Sequence, residues 1–449
     1  MGRGRGSVWM RGAVAALLAV AVAGALAADP ARAHDQVATC SWPLKTTVDT
    51  LNVAFPDASA TYWTTPFTVL PSLSEIILDG TYADARYLSV NVYNNAGSSF
   101  DCGGRDSGLA DFATAPDAGS RNPFQQRARP GGAFTVSIAR APAAASSANF
   151  VPFPLARCTP PPVDGTVPTD LAFLVFRVYL PTGGDAAVTL PSLKLRYGRA
   201  APVELPPCAA VASTVSLPPA LVRRGIAEVQ PCGRPGAAAC PPDLTFFRPT
   251  DGATGGFFPN TDNKYVGALV RPRAGRLVVV RARAASFPPG THPAPWPAAA
   301  DLRYWSLCVN VYRRPWPVVT VTDHGRQIVG CTADLDTPQD EAGFYTYVVS
   351  RLRDRPSARV LGRNHAAWLP FSRRQPEARH LLILRNMLGD AFPHSVQNCT
   401  PGSAPADIRR CAASMGAYYP QAAECAVATF VRSGTAACFA ESRRRSRAG

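Results

Sequence analysis

The sequence predicts an all-β protein: two tandem antiparallel β-sandwich domains, jelly-roll-like, with a small helical C-terminal appendage. Three observations carry that expectation. Between Cys40 and Cys399 the chain runs in short apolar-polar alternations punctuated by Pro and Gly, with almost no helical periodicity. One such run occurs twice, as DARYLSVNVY at 84–93 and DLRYWSLCVNVY at 301–312. No strand-helix alternation is present to build a parallel α/β sheet.

Residues 1–33 read as a signal peptide. Arg3, Arg5 and Arg11 precede an Ala/Val/Leu run from Ala13 to Ala28, and small-residue cleavage patterns follow at 25–27 and 31–33. That run is too short and Ala-rich for a membrane span, and no later run is long enough. The chain is therefore expected to be secreted or extracytoplasmic, with no transmembrane anchor. Its 449 residues are enough for two or three cores.

The net charge of +15 comes from 46 basic against 31 acidic residues, and only Lys45, Lys194 and Lys264 are lysines. Arg together with abundant Ala and Pro is what GC-rich codons impose, so no nucleic acid is called for. An acidic polymer or anionic envelope surface is the second reading of the charge. The arginines are spread along the chain except at the tail, where Arg443, Arg444, Arg445 and Arg447 cluster.

In the domain at 34–208, Leu88, Val90 and Val92 fall on one face of the repeated strand and Tyr87, Ser89, Asn91 and Tyr93 on the other. In the domain at 240–399 the corresponding faces are Trp305, Leu307, Val309 and Val311 against Tyr304, Ser306, Cys308, Asn310 and Tyr312. Two extra residues are placed before the second Asn-Val-Tyr, a full strand period that keeps each side chain on its face. Weaker matches follow in the same order: Phe55-Pro56-Asp57 with Phe258-Pro259-Asn260, 132–135 with 343–346, 150–153 with 368–371, and 174–177 with 382–385. Arg177 and Arg385 occupy the last pair, as outward-facing strand residues or as residues that reach a sheet edge or a carboxylate. Residues 209–239 form a Pro/Ala-rich linker.

All twelve cysteines lie after the signal, so an exported chain would hold up to six disulfides. Equivalent positions suggest that Cys40–Cys208 and Cys240–Cys399 close the two domains. Within 400–449 a helix opens at Ala406 and breaks at Pro420, and a second helix is expected from Gln421 to Arg432. Cys411, Cys425 and Cys438 are expected to tie this appendage to itself or to the sandwiches. The final SRRRSRAG reads as a disordered basic tail.

Two places offer chemistry. Tyr87, Ser89, Asn91, Tyr93, Tyr304, Ser306, Asn310 and Tyr312 combine flat apolar area with hydrogen-bonding groups, which suits a sugar or small amphipathic ligand. The alternative is that they pair across strands within the sheet. Asp334, Asp336, Asp340 and Glu341 crowd one loop, where carboxylates can wrap Ca²⁺, against the alternative of a solvated acidic turn. Asp101, Asp106 and Asp111 are a looser counterpart. No other cofactor is implied. GxSxG, HExxH, P-loop and dinucleotide motifs are absent from the sequence, and His34, His292, His324, His365, His380 and His394 are scattered.

The RY-x-S strand, the later aromatic-Thr strand, the WLPF turn and the LLILR strand resemble uncharacterised bacterial β-sandwich domains. Those domains are often paired in exported proteins, with an RYYS-like strand, a GPGW-like turn and an arginine in a late strand. The likeness covers most of 260–390 and, more loosely, 55–185. It implies a fold, since no activity is established for such domains. The expected function is a secreted, disulfide-stabilised, non-enzymatic binding protein for a glycan, small ligand or cell-envelope component. The alternatives are a polysaccharide-acting hydrolase or lyase, whose carboxylates would converge from different strands, and a structural envelope protein.

Overall fold

The computed structural model describes residues 38–142, 148–163, 168–210, 232, 239–249 and 258–448. The signal peptide and nearly all of the 209–239 linker lie outside the described residues. The alternating runs form strands because their apolar sides meet across two layers. In the first half these are β1 (Leu44–Thr46), β2 (Ala60–Thr68), β3 (Leu73–Thr81), β4 (Ala85–Tyr93), β5 (Gly108–Ala110), β6 (Ala133–Ala139), β7 (Phe150–Pro152), β8 (Leu171–Pro181), β9 (Ser192–Tyr197) and β10 (Val203–Leu205). They build two sheets, in the orders β1-β2-β8-β4-β5 and β10-β9-β3-β6-β7. Trp63, Phe67, Leu88, Val90 and Phe176 of one sheet and Ile76, Leu78, Val136 and Ile138 of the other share one buried cluster, which makes the pair a sandwich.

The second half comprises β11 (Asn263–Val270), β12 (Arg276–Arg283), β13 (Tyr304–Val311), β14 (Thr320–Asp323), β15 (Arg326–Val329), β16 (Cys331–Ala333), β17 (Phe344–Ser350), β18 (Ala366–Pro370), β19 (His380–Met387) and β20 (Gln421–Ala426). Its sheets run β11-β19-β13-β16 and β18-β17-β12-β20, the order of β2-β8-β4-β5 and β7-β6-β3-β9 strand for strand, with β14 and β15 as a separate hairpin. Val266, Val278, Trp305, Leu307, Val348 and Leu384 belong to its core.

Four expectations are corrected. The sheets are not wholly antiparallel: β6 pairs with β7, and β17 with β18, in parallel. In each half a connection crosses back after the first strand of the pair, and in the second half it carries helix α1 (Ala358–Arg363). The two extra residues do not precede Asn310. Ser89 opposes Arg177 and Ser306 opposes Arg385, so Asn91 corresponds to Cys308 and Tyr93 to Asn310. Chemistry agrees with that register, because a Cβ at Gly108 would overlap the Asn91 amide, whereas the equivalent pair, Cys308 and Cys331, is a disulfide.

The C-terminal segment is the third correction. Helix α2 (Pro405–Met415) forms as expected, with Pro at its first turn. Gln421–Ala426, read as helical, is instead β20, because its alternate residues Ala423 and Cys425 complete the sheet beside β12. The appendage therefore supplies a strand to the second sandwich. Helix α3 (Val427–Ala448) kinks at Gly434 and runs on through the basic tail that had read as disordered. The fourth correction concerns disulfides. Six bonds use all twelve cysteines, and Cys40–Cys208 joins the two ends of the first sandwich. Cys240 bonds Cys232 and Cys399 bonds Cys411, each close in sequence, so no Cys240–Cys399 closure exists. Cys102–Cys158 is internal to the first half, and Cys425–Cys438 ties β20 to α3.

The Cys40–Cys208 bond spans 168 residues and so removes much loop entropy from the unfolded chain. Replacing both cysteines by Ser should lower unfolding stability by about 2–5 kcal/mol in denaturant titrations. An unchanged midpoint would show that the sandwich ends are held without it.

Candidate functional site: the buried face between the sandwiches and an arginine-lined cleft

The polar-aromatic face of the central strands is not open to solvent. Tyr87, Ser89, Asn91, Tyr93, Tyr304, Ser306 and Asn310 are all buried, and Tyr312 is partly so. The reason is that the outer faces of the β2-β8-β4 and β11-β19-β13 sheets meet. Tyr179 of one packs edge-on to Tyr304 of the other at 5.1 Å, and Tyr87, Ala110, Ala333 and Met387 complete the contact. Ser89, Asn91 and Asn310 make their side-chain hydrogen bonds within their own half, whereas Tyr87, Tyr93, Tyr304 and Ser306 bond across to the other half of the chain.

Their partners come from the two Phe-Pro segments. Asp57, fully buried, accepts hydrogen bonds from Tyr304 at 2.9 Å and Ser306 at 2.7 Å. Reciprocally, Tyr87 donates to Asp262, and Tyr93 to the Pro259 carbonyl at 2.7 Å. Phe258 seats against Tyr93 and Phe173 of the first sandwich at 5.1 and 5.2 Å. Phe55 lies against Trp316 of the second, where its N–H donates to the Trp316 carbonyl at 2.9 Å. Both Phe55 and Phe258 have positive φ, 57° and 51°, a costly backbone state for an aromatic residue that this docking offsets.

Arg177 and Arg385 do face outward from their own sheets, yet both are covered by the opposite half. Arg177 donates to Asn91 at 2.8 Å, Tyr93 at 2.9 Å and the Phe258 carbonyl at 3.4 Å. Arg385 donates to the Phe55 carbonyl at 2.7 Å and lies 3.8 Å from Asp57.

Sequence reasoning missed the strongest pair of contacts. Arg86 reaches across to both oxygens of Asp334, at 3.2 and 3.1 Å, and Arg303 lies 3.6 Å from Asp111. All four side chains are fully buried. Each carboxylate also accepts two backbone N–H groups of its own half, Leu88 and Phe112 for Asp111, and Trp305 and Leu335 for Asp334. Arg303 sits between the Phe124 and Trp296 rings. Burial pushes both acids up to about 6, while the facing arginines and the backbone donors pull the other way. A sequence signal existed. Ala-Asp-Phe-Ala-Thr at 110–114 recurs as Ala-Asp-Leu-Asp-Thr at 333–337, and an Arg precedes the Tyr in both copies of the central strand.

The acidic loop does not converge on a cation. Asp334 is committed to Arg86, whereas Asp340 pairs with Arg281 at 2.5 Å and caps the Phe344 and Ala342 N–H groups. Asp336 and Glu341 are exposed and point to no shared centre with these. Asp101, Asp106 and Asp111 likewise part, since Asp111 is buried against Arg303 while Asp106 is exposed. Among the described residues one other donor group, Asp57 with Cys308 and Cys331, comes close together, but those sulphurs are bonded to each other and are not thiolate ligands.

Among the described residues, an open cleft of about 960 Å³ lies at one end of the second sandwich. Arg351 follows β17, Arg353 and Arg355 lie on the turn into α1, and Arg373 follows β18. Arg355 stacks 4.6 Å from the Trp368 ring and lies 3.5 Å from Asp323, and Arg351 bonds Glu377 at 3.2 Å. Arg353 is two-thirds exposed, with Asp354 4.0 Å away.

No protein-family model matches the chain, and no curated protein matches it. Among solved structures it is similar to an uncharacterised protein from Burkholderia cenocepacia, at 12% identity and a TM-score of 0.47, over 88% of this chain and 85% of that one. A second likeness, to an anti-sigma factor domain-containing protein from Clostridium clariflavum, has 8% identity and a TM-score of 0.18, over 79% and 84%.

Removing one member of a buried ion pair leaves the other uncompensated. Arg86→Met should therefore cost about 3–5 kcal/mol at pH 7. The loss should shrink towards pH 5, because Asp334 then takes up a proton and needs no counter-charge. In the wild type the raised carboxyls bind protons more tightly folded than unfolded. Their contribution to stability is thus fully present below about pH 4, the unfolded value, and is lost as pH rises through about 6. Denaturant midpoints across that range check both; a pH-independent Arg86→Met penalty would contradict the assignment.

Proposed function

We propose that this chain is a secreted, non-catalytic binding protein of the cell envelope, built from two homologous sandwiches, and that its ligand is an acidic glycan held in the arginine-lined cleft. The observation that carries the reading is the composition of that cleft: Arg351, Arg353, Arg355 and Arg373 against two carboxylates, Asp323 and Glu377. Guanidinium forks match carboxylate geometry and pair with it through two parallel bonds. The cleft's own acids are already engaged by Arg355 and Arg351; Arg353, with Asp354 beside it, and Arg373, which gives one N–H to the Thr322 carbonyl, are the exposed guanidinium groups with donors to spare.

Two further facts support the setting. Six disulfides fit a chain that folds in an oxidising compartment. Among the described residues no helix is long and apolar enough to cross a membrane. An envelope component is then the ligand within reach of an exported chain, and a polyanion suits its excess of basic residues.

The mature protein should bind polygalacturonate, an acidic glycan, and not a neutral glucan of similar length. Titration calorimetry should show the affinity falling with added salt. The double variant Arg353→Glu, Arg355→Glu should weaken binding by at least about tenfold, or about 1.4 kcal/mol. Equal binding of the neutral glucan, or no loss in the variant, would sink the reading.

A further inference from the structure

The first sandwich has an opening beside Arg140, the residue equivalent to Arg351 of the arginine cleft, although its other walls come from different strands. It measures about 570 Å³ and is lined by Ser72, Ser74, Arg140 and Tyr197 among others. The equivalence rests on register. Ala139 pairs with Pro152 across β6 and β7 as Ser350 pairs with Pro370 across β17 and β18, so Arg140 and Arg351 are the next residues on corresponding strands. The carbonyls of Ala139 and Ser350 each accept the N–H of an aromatic residue, Phe153 at 2.9 Å and Phe371 at 2.8 Å. Both guanidinium groups then do the same thing. Arg140 donates to the Leu70 carbonyl at 2.7 Å, and Arg351 to the Pro272 carbonyl at 3.3 Å, each in the loop that joins the first two strands of its sandwich core.

From this we infer that the first sandwich carries a second site for the same class of ligand, which makes the chain bivalent for a repeating acidic glycan. The inference rests on the reading of the arginine cleft proposed above. The chemistry of the smaller opening is that of a sugar subsite. Tyr197 offers the partly exposed edge of a ring that packs on the core, Ser72 offers a hydroxyl, Ser74 offers an acceptor oxygen while its own O–H donates to the Arg196 and Gly198 carbonyls, and Arg140 offers one guanidinium for a carboxylate. The loop carbonyls hold that guanidinium in place before any ligand arrives, so little side-chain entropy is left to lose on binding. With one arginine in place of four, it is the weaker site. The buried contacts between the halves hold the two openings at a set separation. A polymer long enough to reach both then meets the second at a high effective concentration.

The test uses the whole mature protein, a short oligogalacturonate too small to span both openings, and polygalacturonate. Calorimetry with the oligomer should resolve two sites of unequal affinity. Arg140→Gln should abolish the weaker one and lower affinity for the polymer by about a hundredfold, while leaving the stronger oligomer site unchanged. Because Arg140 also braces a loop, Tyr197→Leu is made alongside it. This keeps apolar bulk against the core but removes the ring, and it should weaken the same site while leaving the stronger oligomer site unchanged. A single oligomer site, lost in the Arg353→Glu, Arg355→Glu variant and indifferent to both first-sandwich variants, would overturn bivalency alone. No binding of either probe to the wild type would overturn the reading of the larger cleft and this inference with it.

Discussion

Four ionisable side chains are sealed away from water where the two halves meet, and each must find its partner across that boundary. Taking an ion out of water costs several kcal/mol even after the protein relaxes, and the cost is offset only when a counter-charge and hydrogen bonds stand ready. Here each half supplies one part of the answer and lacks the other. Asp111 and Asp334 receive two backbone N–H groups from their own sandwiches, but their counter-ions, Arg303 and Arg86, come from across the interface. A lone half would retain a carboxylate that its own backbone half satisfies, beside an arginine with nothing to face. The two sandwiches are therefore one electrostatic unit.

Around those pairs the contact is reciprocal in the manner of an isologous dimer. Phe55 docks on the second sandwich and Phe258 on the first. Asp57 takes up Tyr304 and Ser306, while Asp262 takes up Tyr87. Reciprocity is not identity. Where the first half has Asn91 over Gly108, the second has the Cys308–Cys331 bond, and Tyr179 stands where the second half has Met387. Tyrosines on a strand face, which on an isolated sandwich would look like a ligand platform, are here the hydrogen-bonding half of a packed interface.

That use of the central strands decides where a ligand can go. With one outer sheet face of each sandwich closed by the interface, the clefts described above lie at strand ends, where loops rather than ladders set the chemistry. Variation there is cheap in stability terms, which fits the contrast between the four arginines around α1 and the single Arg140 at the equivalent place.

By itself the sequence determined the all-β class and helix α2. Both follow from local periodicity and breaker residues, which need no knowledge of distant neighbours, whereas the positional argument that suggested Cys40–Cys208 also suggested a Cys240–Cys399 bond that does not form. It could not place Asn91 against Cys308, because a two-residue slip preserves the faces and so leaves no trace in the alternation. Nor could it tell β20 from a helix, since six residues of Gln, Ala, Glu and Cys fit either until β12 offers an edge. Only the tertiary structure decided that the Tyr-Ser-Asn faces are closed, that Asp334 belongs to Arg86 rather than to a cation, and that Arg177 and Arg385 are covered. All three depend on how one finished sandwich meets another, and burial by a second body is a property of surfaces that no single stretch of chain encodes.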